Sequence, residues 1–349
     1  MTPAAPSALL EAVQALAEGR RLDRRAAESA FVDLLEGRAG EAQIAALLMG
    51  LRVGGETVEE LLGCVAAMRR HAATIHSRHA ELLDTCGTGG DGRSTANIST
   101  LSALVAAGAG AAVAKHGNRS VSSRCGSADL LEAMGVSVEL DPRQVLRCLD
   151  ETGIGFMFAP RFHPAMRHAV TVRRALGVRT ILNLLGPLSN PAGADRQLVG
   201  VFDPRWLTPF AQVLRELGAR AALVVHGGGM DELDPRAPSR VAELKNGEIR
   251  EYTLEPEGEG IDTRAGGELG VSGVEESVRV AREVLDNKPG VALEAVVLNA
   301  GAALYVAGRA GRIRDGVQLA RRAVSAGQAA AALERLARAS RDASAKAER

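Results

Sequence analysis

Residues 84–100, DTCGTGGDGRSTANIST, put four glycines, two aspartates and six Ser/Thr hydroxyls into seventeen positions. They follow LLDT, a short apolar run that reads as a buried strand, and lead into NISTLSALVAAGAG, which has the pattern of a helix. A strand, a glycine loop and a helix in that order present unpaired backbone N–H groups to a ligand, with the positive end of the helix dipole behind them. Phosphate suits that arrangement. A plain tight turn would explain the glycines through positive φ, but not the crowding of Asp91, Ser94, Thr95, Asn97, Ser99 and Thr100 at the same helix entrance. No Gly-Lys-Ser/Thr follows, so this is not a P-loop, and the glycines do not precede an acidic ribose ligand as in a dinucleotide fold.

The 349 residues, 46% hydrophobic, suffice for one large domain and a smaller one. Lys+Arg and Asp+Glu both total 42, so the balance of charge provides no global drive toward nucleic acid or a membrane surface. With six Phe, two Tyr and one Trp, a platform for stacking bases is also poorly supplied. Cys64, Cys86, Cys125 and Cys148 contain no C-x-x-C pair, which argues against structural zinc and a disulfide scaffold and fits a reducing cytoplasm. The N-terminal stretch lacks a basic segment ahead of an apolar core, and no run approaches about 18 apolar residues. The expectation is a cytoplasmic protein with no membrane span.

Short helices separated by glycine fill residues 7–72: one starts at Ser7, one at Asp23, and a third carries a Thr57/Glu60 capping box. The adjacent acids Glu59-Glu60 and Glu275-Glu276 read as solvated helix faces. From Leu82 the pattern changes to apolar strands alternating with helices: LLDT, AAVAK at 111–115, GIGFMF at 153–158, LVGVF at 198–202 and AALVVHG at 221–227. This implies an α/β fold, with a small all-helical N-terminal domain and a large domain whose mostly parallel central sheet is flanked by helices. The expected boundaries are 1–78, joined by part of 163–190, and 79–349. Asn246-Gly247 between alternating runs predicts a hairpin at the sheet edge, and the polar tail from Arg338 reads as a fraying helix end.

A second cluster, KHGNRSVSSRCGSADLLEAMG at 115–135, follows the strand AAVAK and should lie beside the first loop, beyond the carboxyl ends of the strands. There Lys115, Arg119 and Arg124 can offset phosphate charge, Ser120, Ser122 and Ser123 can donate hydrogen bonds, and Ser127 caps the next helix. A third cluster, HGGGMDELD at 226–234, places Asp231 and Glu232 in a glycine-rich strand-end loop, a donor pair suited to Mg²⁺. Arg173, on HPAMRHAVTVRRALG, can pair with a substrate carboxylate or sit on an exposed helical face; spacing leaves both open. His116 and His163 are equally open between pocket lining and structural hydrogen bonding, and no His pair has zinc spacing.

Together GTGGD at 87–91, NIST at 97–100, KHGNR at 115–119, SSRCGSADLLEAMG at 122–135, HPAM at 163–166, RTILNLLGPLSNP at 179–191 and HGGGMDEL at 226–233 closely resemble the anthranilate phosphoribosyltransferase family, in the family's order and over nearly the whole chain. The resemblance implies transfer of phosphoribose from phosphoribosyl pyrophosphate to the amine of anthranilate, a step of tryptophan synthesis, with a cleft between two domains and a homodimer formed through the helical one. It implies that Gly87, Gly90, Asp91, Thr95, Asn97, Ile98, Ser99, Thr100, Lys115, His116, Gly117, Arg119, Ser120, Val121, Ser122, Ser123 and Ser127 bind substrate, that Gly87, Asn118 and Arg173 contact anthranilate, and that Ser99, Asp231 and Glu232 hold Mg²⁺. No covalent nucleophile is implied. Met230 and Ser189 depart from the usual Leu and Thr. A pyrimidine nucleoside phosphorylase would share the architecture but carry K-x-S-x-R where this chain has KHGNR; a non-catalytic nucleic-acid-binding relative would show a basic groove or eroded motifs.

Overall fold

Ser7, Asp23 and Thr57 each turn a side-chain oxygen onto a first-turn amide, those of Leu10, Ala26 and Glu60, and so start α1 (Ala8–Ala17), α2 (Arg24–Leu35) and, after α3 (Glu41–Gly54), α4 (Val58–Arg70). The computed structural model describes residues 7–90, 92–120 and 124–345. Thr57 and Glu60 form the expected capping box. Glu60 is not on a solvated face, however: it is fully buried, accepts from Leu22 N at 3.1 Å and Thr57 N at 2.9 Å, and pairs with Arg21. Arg21 and Leu22 come from the connection between α1 and α2, 39 and 38 residues earlier, which adjacency to Glu59 could not reveal.

Strand and helix then alternate: β1 (Leu83–Gly87), α5 (Ile98–Gly108), β2 (Val113–Gly117), α6 (Ser127–Ala133), α7 (Pro142–Thr152), β3 (Ile154–Phe158), α8 (Ala159–Phe162), α9 (Arg167–Leu176), α10 (Leu182–Leu188), β4 (Arg196–Gly200), α11 (Leu207–Glu216) and β5 (Ala221–Gly227). β6 (Ser239–Lys245) and β7 (Glu248–Leu254) form the hairpin around Asn246 and Gly247, both at positive φ. Four helices close the chain: α12 (Val274–Leu285), α13 (Val291–Val306), α14 (Ile313–Ser325) and α15 (Gln328–Ala345). The last does not fray at Arg338. It continues to Ala345 with Ser340 and Ala343 buried, because Ser137 N donates to Ser340 Oγ and Gln144 Nε2 to Ala343 O.

The seven strands order as β3-β2-β1-β4-β5-β6-β7, parallel through β5 and antiparallel in the hairpin. Alternate residues face opposite cores: Leu198, Leu223 and Val225 join the cluster built on α5, α13 and α15, while Val199, Ala222 and Val224 join that of α2, α4, α10 and α11. Segment 163–190 therefore packs α9 and α10 onto the N-terminal helices and one sheet face alike. Pairing is uneven along the sheet. β1 matches β4 from Leu83 to Gly87 and β2 matches β3 from Val113 to Gly117, but β1 and β2 pair only at Leu83–Val113. Beyond that rung no register pairing joins the two strands, and the loops that follow them both line one cleft.

Candidate active site

A cavity of about 310 Å³ lies at the carboxyl ends of the parallel strands. Its walls include Gly87 to Gly90, the entrance of α5 at Asn97 to Ser99, the β2 end from Lys115 to Ser120, Ser127, Arg173 on α9, and Asp231 and Glu232 after β5. Of the sequence candidates, Asp91, Val121, Ser122 and Ser123 lie outside the described residues. A wider depression of about 720 Å³ elsewhere is lined by Glu257, Asp262, Arg264, Glu294 and Arg321, but Arg321 and Glu294 satisfy each other.

Two glycines make the seat of the acidic pair. Gly87 and Gly200 are register partners at the ends of β1 and β4. A Cβ on Gly200 would fall 1.4 Å from the Asp231 carbonyl oxygen, and one on Gly87 would fall 2.3 Å from Asp231 Oδ2. That oxygen accepts from Gly89 N at 2.7 Å, while Glu232 Oε1 accepts from Ser99 N at 3.1 Å in the first turn of α5. Arg93 Nη2 donates to Gly228 O at 2.9 Å and ties the first loop to the third. Thus Asp231, Glu232 and Ser99 come together as a hard oxygen set, although the strands that carry them are not all neighbours. Among the described residues no three acids, histidines or cysteines cluster to cage an ion unaided. Two carboxylates and a hydroxyl beside a phosphate site are the donor set that fits Mg²⁺, which completes its shell with water and substrate phosphate.

Lys115 is buried beneath this cluster, its Nζ donating to Thr85 O at 2.5 Å and to Ser99 Oγ at 3.4 Å. Burial lowers its pKa, opposed by the nearby carboxyl groups of Asp84 and Glu232. Arg173 is half-buried at the opposite wall, where burial lowers its pKa. Its guanidinium has no hydrogen-bond or ion-pair partner among the described residues, and the residue lines the cavity rather than only the outer surface. His116 and His163 meet at a tilt of 54° with ring centroids 5.1 Å apart, and burial pushes them down to about 3 and about 4. Both are neutral at pH 7. His116 Nδ1 lies 3.2 Å from Gly186 O, while Nε2 of each ring is buried without a partner among the described residues.

Four candidates behave differently from their sequence reading. Arg119 does not keep its charge for phosphate: it pairs with Glu132 at 2.7 Å, Asp129 at 3.2 Å and Glu139 at 3.5 Å, and it stacks over Phe158. Ser127 does not cap α6. Gly126 occupies that position, Asp129 accepts the Gly126 and Ser120 amides, and Ser127 Oγ exchanges hydrogen bonds with the Asn118 backbone. Asn97 commits its amide group to Ser277 Oγ at 3.0 Å and Cys125 O at 3.4 Å. Thr100 turns its hydroxyl into the interior, away from the cleft. Thr95, Ile98, Gly117, Asn118 and Ser120 line the cavity. Sequence reasoning missed Asp84 and Asn190, whose bond spans 106 residues, and no local pattern announces such a pair.

The helical body, the mostly parallel sheet and the glycine-lined cleft define an α/β enzyme with its candidate site at the strand ends. Residues 10–72 match the glycosyl transferase family helical bundle domain and residues 79–330 its a/b domain. An anthranilate phosphoribosyltransferase of Rubrobacter xylanophilus is 50% identical over 335 residues, 95% of this chain and 98% of that protein. The crystal structure of the Thermus thermophilus anthranilate phosphoribosyltransferase superposes with a TM-score of 0.90 at 45% identity, covering 96% of this chain and all of that one. The Saccharomyces cerevisiae enzyme in complex with PRPP and Mg shares the fold at a TM-score of 0.87 and 23% identity, over 96% and 98% of the two chains. The chain belongs to the anthranilate phosphoribosyltransferase family.

Proposed function

We infer that this chain transfers the phosphoribosyl group of phosphoribosyl pyrophosphate to the amine of anthranilate, releasing pyrophosphate and forming N-(5-phosphoribosyl)anthranilate for tryptophan synthesis. The observation that carries the reading is the meeting in one cleft of a glycine-lined loop, an acidic oxygen pair and a cation, Arg173, without a partner among the described residues. Displacement at the anomeric carbon passes through an oxocarbenium-like state, with negative charge growing on the leaving pyrophosphate. Mg²⁺, held by Asp231, Glu232 and Ser99 together with substrate phosphates, would neutralise that charge. Lys115 brings its ammonium group beneath the same site, while the Thr88 and Gly89 amides brace the cleft by donating to Gly200 O and to Asp231 Oδ2. Arg173 pairs with the anthranilate carboxylate and so aims the ortho amine at the anomeric carbon. Much of the acceleration comes from holding the two substrates in line. The neutral His116 ring borders the cleft without adding a like charge to the cationic transition state.

Asp91, Val121, Ser122, Ser123 and the other loop residues named by resemblance complete the substrate shell in this reading, and a homodimer through the helical body is its quaternary counterpart. Among the described residues no helix is long and apolar enough to cross a membrane. The test follows anthranilate fluorescence with purified protein, Mg²⁺ and phosphoribosyl pyrophosphate. Loss of fluorescence with pyrophosphate release supports the reading; no loss, or equal loss with ribose 5-phosphate, overturns it. Asp231→Asn combined with Glu232→Gln should weaken Mg²⁺-dependent turnover while leaving the folded state intact, and undiminished turnover at limiting Mg²⁺ would remove the metal assignment.

A further inference from the structure

The point where β1 and β2 part is built from side chains. In a parallel ladder starting at Leu83–Val113, the next rung would engage Ala114 O and His116 N with Thr85. Side-chain bonds engage these groups here. Asn190 Nδ2 donates to Ala114 O at 2.8 Å, His116 N donates to Asp84 Oδ1 at 3.2 Å, and Lys115 Nζ donates to Thr85 O at 2.5 Å. Asp84 Oδ2 then accepts from Asn190 Nδ2 at 2.7 Å, which closes the set. Asp84 is 0% and Asn190 4% exposed, so the first three bonds satisfy backbone groups of the missing rung in a buried setting, where an unmade bond is costly, and the fourth ties the two side chains together.

We propose that Asp84 and Asn190 are positioning residues that act as one device: they hold the carboxyl ends of β1 and β2 apart and so set the spacing between the Gly87–Gly90 turn and the His116–Asn118 turn. Neither side chain lines the cavity. Their effect on the reaction passes through the backbone they brace. Asn190 belongs to the segment that follows α10, where its Oδ1 also accepts from Ala192 N at 2.9 Å. The same device therefore links the strands that carry both substrate turns to the segment leaving α10. Without it the ladder can zip one rung further and narrow the gap. The inference rests on the phosphoribosyl-transfer reading of the cleft.

The experiment compares Asp84→Asn, Asn190→Ala and the double variant, with kinetics measured well below each thermal midpoint so that only folded protein is assayed. Misplacement of a reacting group by about 1 Å costs about 10²-fold, so each single variant should lose roughly that in kcat/KM for phosphoribosyl pyrophosphate. Two residues acting as a unit lose activity non-additively, so the double should fall within about threefold of the worse single. Asn190→Ser, which keeps a hydroxyl donor for Ala114 O, should recover part of the loss; it also serves if a more severe variant does not fold. Variants that lower the midpoint but keep wild-type kcat and KM would overturn the proposal, as would losses that multiply to about 10⁴-fold in the double. Failure of the wild-type protein to consume anthranilate would instead refute the underlying reading of the cleft.

Discussion

Gly87→Ala tests the seat of the acidic pair. Gly87 does not have a positive φ, so the backbone accepts alanine and the lesion is steric. The new methyl would lie 2.3 Å from Asp231 Oδ2 and 3.0 Å from its Cγ, against an optimal separation of roughly 3.5 Å or more. The carboxylate must retreat by about 1 Å, and its bond from Gly89 N, now 2.7 Å, is lost or stretched. A hydrogen bond to a charged group contributes about 1.5–3 kcal/mol, equivalent to roughly ten- to hundredfold in rate. Displacing a metal-orienting group costs about 10–100-fold in metal affinity. Anthranilate fluorescence, read while Mg²⁺ is titrated at saturating phosphoribosyl pyrophosphate, should therefore show kcat lower by about 30-fold and half-saturating Mg²⁺ raised by about tenfold. Added to Asp231→Asn, the same change should cost little more. If the rate fell but half-saturating Mg²⁺ stayed put, the methyl would be striking substrate rather than Asp231, and the reasoning would be refuted.

Arg173→Ala should raise KM for anthranilate by about 10–100-fold, the range of one lost charge-assisted pair, with a smaller change for phosphoribosyl pyrophosphate; equal changes would remove the carboxylate role. His116 and His163 stay neutral in the folded protein down to about 3 and about 4, whereas in the unfolded chain they take up protons near 6.5. The unfolded state therefore binds more protons as pH falls from about 6.5 to about 4, and stability declines across that window, by on the order of 3 kcal/mol for His163 alone. Urea titrations should show a shallower decline in His163→Gln, and an unchanged slope would refute this. Glu60→Ala strips the Leu22 and Thr57 amides and Arg21 of their acceptor and should destabilise the fold by about 3 kcal/mol, read as a lower urea midpoint; a loss under about 1 kcal/mol would refute the buried network.

What local pattern determines was legible. Ser7, Asp23 and Thr57 announce their helices because capping acts over three residues, and Asn246-Gly247 announces its hairpin because few residue pairs accept positive φ twice. The glycine loops marked the strand ends, so the wall of the cleft was legible too. Partners distant in the chain were not. Arg119 meets Glu132 and Glu139, and Asn97 meets Ser277, only after folding, so both read as donors available to a ligand. Ser127 sits where a cap belongs, yet Asp129 collects the amides two residues further on. The lost pairing between β1 and β2 could not be foreseen, since LLDT reads only as a buried strand until Asn190 is brought against Asp84.

The apolar cluster that joins helices to sheet bears on how the molecule can be taken apart. Leu61, Leu62 and Val65 of α4 share it with Val199 and Val201 around β4 and with Ala222 and Val224 of β5. Severing the chain between residues 72 and 79 would leave a wet oily face on each fragment, and neither piece is expected to stay in solution by itself. Fusions and tags belong instead at the outer bend of Asn246 and Gly247, where the backbone is exposed and an insertion disturbs no interior contact.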